Sequence, residues 1–178
     1  GIVGLGNMAH KFANSIKETD NSQLVGIASL NKTRLKSFKE DYQITEENTH
    51  YTYDDLIKST NIDAIYIATL NNTHLEIIKK CAENKKNILC EKPFTLNFDE
   101  AKIANDHIKK NGVNFYEAIA YRTHDQIKVI KEIIDKNEIG NIVSIDSSFG
   151  FKVKKIKPET RLFNKQLGGG SILDVGCY

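Results

Sequence analysis

The chain has 178 residues, room for one full domain or one domain and part of another, and its formal net charge is only +2. With 40% hydrophobic and 27% charged residues, and lysines scattered among carboxylates, it reads as an ordinary soluble globular protein and not as a nucleic-acid binder. No apolar run approaches the roughly 20 residues of a membrane span, and three cysteines without a CxxC pair read as reduced thiols in a cytoplasmic protein.

Gly1-Ile2-Val3-Gly4-Leu5-Gly6 reads as a buried strand entering a tight turn. Ala9, Phe12, Ala13 and Ile16 then recur at helical spacing on one face. The turn Gly4-Leu5-Gly6-Asn7-Met8-Ala9 has the pattern GxGxxA. Gly4 allows the turn, Gly6 lets a pyrophosphate approach the backbone, and Ala9 lets the helix pack closely on the strand. The helix N-terminus supplies free N–H groups and partial positive charge. A purely structural glycine turn has the same pattern; the strand before and the helix after favour a dinucleotide cradle.

Leu24 to Ala28 is the second strand. The residue ending such a strand meets the adenosine ribose, and a carboxylate there selects NAD. Here Ser29-Leu30-Asn31-Lys32-Thr33-Arg34 has no carboxylate, so Ser29, Asn31, Lys32 and Arg34 are candidates to receive a 2′-phosphate, which favours NADP over NAD. The alternative is that Asn31 caps the next helix and that Lys32 and Arg34 are solvated. Leu35 and Phe38 face inward on that helix. His50-Tyr51 is expected as a third strand and Tyr53 to Ile57 as a short helix. Ala64 to Ala68 is a strongly apolar fourth strand. After it, Thr69-Leu70-Asn71-Asn72-Thr73-His74 opens a helix with Leu75, Ile78, Cys81 and Ala82 inward. Thr69, Asn71 and His74 lie where strand ends face a ligand crevice; the plainer readings are Asn71 as an N-cap and His74 as a first-turn residue, and for His74 the sequence alone favours the plainer one.

The fifth strand, Ile88 to Cys90, runs into Glu91-Lys92-Pro93. Proline keeps Lys92 out of helical geometry, and the X–Pro bond can be cis. Most lysines are surface groups, but one at a strand's C-terminal end in this arrangement is a candidate for chemistry. Asn97 and Glu100 resemble a capping box for a helix burying Ala101, Ala104 and Ile108. Val113 to Glu117 is the sixth strand, completing the alternation of a doubly wound parallel sheet over residues 1–119.

Near Ala120 the pattern changes. A helix carries Ile127, Ile130 and Ile134, and then Val143, Ile145, Phe149, Phe151 and Val153 fall on odd positions. That period predicts a long strand of a mostly antiparallel sheet, the start of an α+β domain over 120–178. The final stretch combines Gly168-Gly169-Gly170 with Asp174 and Tyr178, four apart on one helix face. This is an acid and a phenol suited to a hydroxylated substrate, or else a glycine loop with a surface pair. The chain opens inside a strand pattern and stops inside a motif, so it is expected to be a piece of a longer protein.

Taken in order, GIVGLGNMA, IYIATLNNTHLE, ILCEKPFTLN, EAIAYR and GGGSILDVGCY resemble the glucose–fructose oxidoreductase / inositol dehydrogenase family (Gfo/Idh/MocA), in the branch with tyrosine four residues after the aspartate. The resemblance implies a Rossmann domain and a second domain on an open sheet that often mediates dimers or tetramers. It also implies hydride exchange between NADP, or NAD, and the carbinol or carbonyl of a sugar, cyclitol or dihydrodiol. By the same resemblance Lys92 lies beside the nicotinamide, Tyr178 is the acid/base and Asp174 orients substrate. Gly4, Gly6, Asn7, Met8, Ser29, Thr69, Asn71, His74, Glu91, Lys92 and Arg122 map onto cofactor-contacting positions. NADP-dependent relatives often carry arginine where Leu30 stands, which weakens the NADP expectation. Lys92 is expected to favour tyrosinate at Tyr178 if the two lie close. The competing reading is a dinucleotide-binding sensor that keeps the fold without catalysis. Neither reading calls for a metal, a nucleic acid or a membrane.

Overall fold

A computed structural model describes residues 1–178. Six parallel strands form one sheet in the order β3-β2-β1-β4-β5-β6. They are β1 (Ile2–Val3), β2 (Ile27–Ala28), β3 (Thr49–His50), β4 (Ala64–Ile67), β5 (Asn87–Cys90) and β6 (Phe115–Glu117). The helices are α1 (Asn7–Ile16), α2 (Lys32–Tyr42), α3 (Tyr53–Lys58), α4 (His74–Glu83), α5 (Phe98–Asn111) and α6 (Asp125–Asp135). No helix is long and apolar enough to cross a membrane. The sheet order reverses between β1 and β4, the crevice where doubly wound sheets bind ligands.

The sheet is buried on both sides, and side-chain alternation sorts its residues between two cores. Ile2, Ile27 and Tyr66 point to one face and pack with Ala9, Ala13, Leu35 and Phe38 of α1 and α2. Val3, Ala28, Ile65, Ile67, Ile88 and Cys90 point to the other and pack with α3, α4 and α5. Local signals set the helix ends. Asn31 Oδ1 accepts from Arg34 N at 3.0 Å and starts α2, as the capping reading has it. Asn97 Oδ1 accepts from Glu100 N at 2.9 Å and starts α5. The Glu100 carboxylate closes the box on Leu96 N (3.1 Å), one residue before the cap. Gly112, at φ +65°, ends α5 in the left-handed conformation.

The structure corrects two expectations. Asn71 does not cap a helix; it opens a single 3₁₀ turn, and α4 begins at His74. The long strand expected over residues 143–153 is not formed, and there is no antiparallel sheet. Val143, Ile145 and Phe149 are 96%, 80% and 75% exposed. A strand needs a neighbour for its N–H and C=O groups, and no other segment of these residues pairs with this one. Likewise α6 is amphipathic, yet none of its residues is buried.

Candidate active site

Because all six strands are parallel, their C-terminal ends lie along one edge, and the motif residues gather there. Gly4, at φ +85°, follows β1. A Cβ there would sit 2.7 Å from the Ala68 carbonyl oxygen, so only glycine lets the first turn lie against the end of β4. Gly6 differs: nothing stands within 4 Å of where its Cβ would be. It precedes α1, whose first turn has neither a side-chain cap nor an acidic residue. The first N–H groups of a helix lack intrahelical partners, so Asn7 and Met8, both exposed, present donors to open space. This cradle fits a dinucleotide pyrophosphate.

At the end of β2, Ser29 is buried and its Oγ accepts from Asn31 N at 3.1 Å. Asn31 is engaged in its cap, while Lys32 and Arg34 are exposed at the start of α2. No carboxylate stands here. Past β4, Thr69 is partly buried and its Oγ1 accepts from Thr73 Oγ1 at 2.7 Å.

Asn71 and His74 turn inward. Asn71 Nδ2 donates to the Gly168 carbonyl at 3.1 Å, bonding the β4 end to the glycine run 97 residues later. His74 is fully buried. Its Nδ1 lies 2.9 Å from the Pro93 carbonyl and so carries the ring proton, which leaves Nε2 a buried acceptor without a partner. Burial lowers its pKa, partly offset by the Pro93 carbonyl, and keeps the ring neutral. An enclosed His74 holds the Lys92-Pro93 turn, whose peptide bond is cis.

That turn presents Lys92 to the end of the chain. Lys92 Nζ donates to the Asp174 carbonyl oxygen and stands 3.4 Å from Asp174 Oδ1; the two side chains are 15% and 14% exposed. The amine also lies 5.0 Å from the ring centroid of Tyr178. Glu91 accepts a hydrogen bond from the Tyr66 hydroxyl, and the Tyr66 ring stacks on Phe12 of α1 at 4.0 Å. Burial, with the Glu91, Cys177 and Asp174 charges behind it, raises the Tyr178 pKa. The expectation that Lys92 favours tyrosinate is therefore corrected: the ammonium faces the ring, and the phenol keeps its proton. Beside Asp174 opens a mostly apolar cavity of about 230 Å³, with Phe149, Phe151, Leu162 and Phe163 among its lining residues.

Arg122 is exposed in a 3₁₀ turn, and its guanidinium makes no hydrogen bond or ion pair. Arg161, which no motif singled out, reaches Asp174 Oδ1 with Nη1 at 3.1 Å. Its only signal was a cation on the stretch leading into the glycine run, where Lys165 stands as well.

Comparison with known proteins agrees with this layout. The family model described as "Oxidoreductase family, NAD-binding Rossmann fold" matches residues 1–119, and the GFO/IDH/MocA C-terminal domain matches residues 127–178. The chain is 31% identical over its whole length to a trans-1,2-dihydrobenzene-1,2-diol dehydrogenase of Xenopus tropicalis, covering 53% of that protein. It is 29% identical over its whole length to a D-xylose 1-dehydrogenase (NADP(+)) of Haloferax volcanii, covering 54%. Over the whole chain it superposes on a 3-ketoreductase from Actinomadura kijaniata in complex with NADP and TDP-benzene, with TM-score 0.87, 25% identity and 54% of that chain covered. The chain thus spans about half the length of the curated relatives it matches.

Proposed function

Since the chain belongs to the Gfo/Idh/MocA oxidoreductase family, we propose that the protein carrying it exchanges a hydride between NADP, or NAD, and a carbinol or carbonyl of a small polyol, sugar or dihydrodiol. The observation that carries this reading is the convergence of Lys92, Asp174 and Tyr178 at the C-terminal edge of the sheet, on the turn next to the β1–β4 crevice. The nicotinamide, when bound, supplies the hydride chemistry; the protein supplies placement and proton management.

The open cradle over Gly6 and the α1 N-terminus would hold the pyrophosphate. The stretch after β2 carries no carboxylate to repel a 2′-phosphate, and exposed Lys32 and Arg34 lie nearby, which supports NADP. Lys92 is the candidate proton acceptor for a substrate hydroxyl. Tyr178 keeps its proton and is suited to donate a hydrogen bond to a carbonyl oxygen. Asp174 holds the amine with its backbone oxygen and one carboxylate oxygen, and it borders the cavity, whose phenylalanines suit the apolar side of a ring. The role assigned to Tyr178, the domain division at residues 119–120, a homodimer or homotetramer and a cytoplasmic location belong to the same reading.

Lys92→Met tests it. In the complete protein, NADPH titration by fluorescence should be unchanged, while turnover across a panel of sugars, cyclitols, dihydrodiols and dicarbonyls should fall ~100-fold or more. Near-normal turnover refutes the assignment. Dinucleotide binding by the parent with no turnover on any substrate would favour the sensor reading.

A further inference from the structure

Arg161 is the second cation on Asp174. The oxygen it contacts at 3.1 Å is the same one that stands 3.4 Å from Lys92 Nζ. Its place is built by the backbone. Gly169 N donates to Asn164 O at 2.9 Å and Gly170 N to Leu162 O at 3.0 Å, fastening the stretch that begins at Arg161 onto the glycine run. Gly169 is needed for that fit, because a Cβ there would lie 2.8 Å from the Arg161 carbonyl oxygen. The other groups around Lys92 are Glu91 on its own turn, bonded to Tyr66 of β4, and Tyr178 and Cys177 on the final turn.

We propose that Arg161 is a positioning residue, holding the Asp174 carboxylate and taking up part of its charge so that Lys92 is free to give up its proton. The inference rests on Lys92 being the proton-transferring amine. Without Arg161, the full charge of a partly buried carboxylate falls on the ammonium, and repulsion from the guanidinium disappears as well. Both changes favour charged Lys92 and act against its use as a base. With Arg161 present, the two cations share one anion and the ammonium is less stabilised.

The test titrates Lys92 directly in the complete protein by NMR of ¹³Cε-labelled lysine, the resonance being assigned by its absence in Lys92→Met. Arg161→Met should raise the midpoint by ~1 pH unit, and Arg161→Lys should stay near wild type. Asp174→Asn should lower the midpoint, because the amine loses its anion; if Arg161→Met does not fold, Arg161→Gln, which removes the charge and keeps a polar side chain, should raise the midpoint in its place. The acid limb of kcat/KM for alcohol oxidation should move up with the Arg161→Met midpoint. A loss of activity at all pH values with an unmoved midpoint would mean a merely structural role and overturn the proposal. Failure of the Lys92 reading shows itself separately, as turnover surviving in Lys92→Met.

Discussion

Gly168→Ala puts the latch between the two halves of the site under direct strain. Gly168 sits at φ +75°, where an alanine is disfavoured by about 1 kcal/mol or more. The new Cβ would lie 2.5 Å from Leu96 Cδ2 and 2.9 Å from Asn71 Cβ. Leu96 can swing its methyl away, but Asn71 Cβ is carried by the backbone and cannot, so overpacking costs at least about 1 kcal/mol more. Moving the two apart relieves the overlap but strands Asn71 Nδ2, a buried donor whose partner is the Gly168 carbonyl, at a similar cost of about 1 kcal/mol or more. Even at these lower bounds the docked glycine run is destabilised by about 2 kcal/mol, a factor of ~30 in its local opening equilibrium. Hydrogen–deuterium exchange reads this out. The amides of Gly169 and Gly170, bonded to Asn164 and Leu162, should exchange ~30-fold faster, while those of β4 and α4 keep their protection. A rise below about tenfold across residues 160–178 would show that the Asn71–Gly168 contact does not hold the final segment in place.

Gly6→Ala should separate binding from stability. With open space around the new methyl, the unfolding free energy should change by less than about 1 kcal/mol, yet dinucleotide affinity should fall ~10-fold or more, because the pyrophosphate needs that approach. Thermal melting and an NADPH titration check the two halves, and unchanged affinity would remove Gly6 from the cradle. His74 makes stability depend on pH. Its folded pKa is lowered by burial, so protonation is easier in the unfolded chain. The penalty is absent above the unfolded value of about 6.5 and grows as pH falls from there towards the lowered folded value. Urea unfolding of wild type should therefore lose stability as pH falls below about 6.5, and His74→Gln, though less stable overall, should show a flatter dependence. Parallel profiles for the two proteins would sink the attribution to His74.

What could be read from the amino-acid order was whatever repeats locally. Apolar runs and helical spacings placed six strands and six helices close to their positions, because burial shows itself among neighbours along the chain. GxGxxA, the Asn31 and Asn97 caps and the Lys92-Pro93 turn were likewise legible, since each acts within a few residues. The alternation at residues 143–153 was legible too, but it announces only a face, and a strand exists when another segment supplies its hydrogen bonds. Long-range side-chain pairings carried no such signal. Nothing along the chain says that Asn71 turns inward to Gly168, that His74 spends its proton on Pro93, or that Arg161 and Lys92 meet on one oxygen of Asp174. Those contacts join residues up to 97 positions apart, and folding alone brings them together, because hydrogen bonds and charges act over ångströms of space and not over distance along the chain.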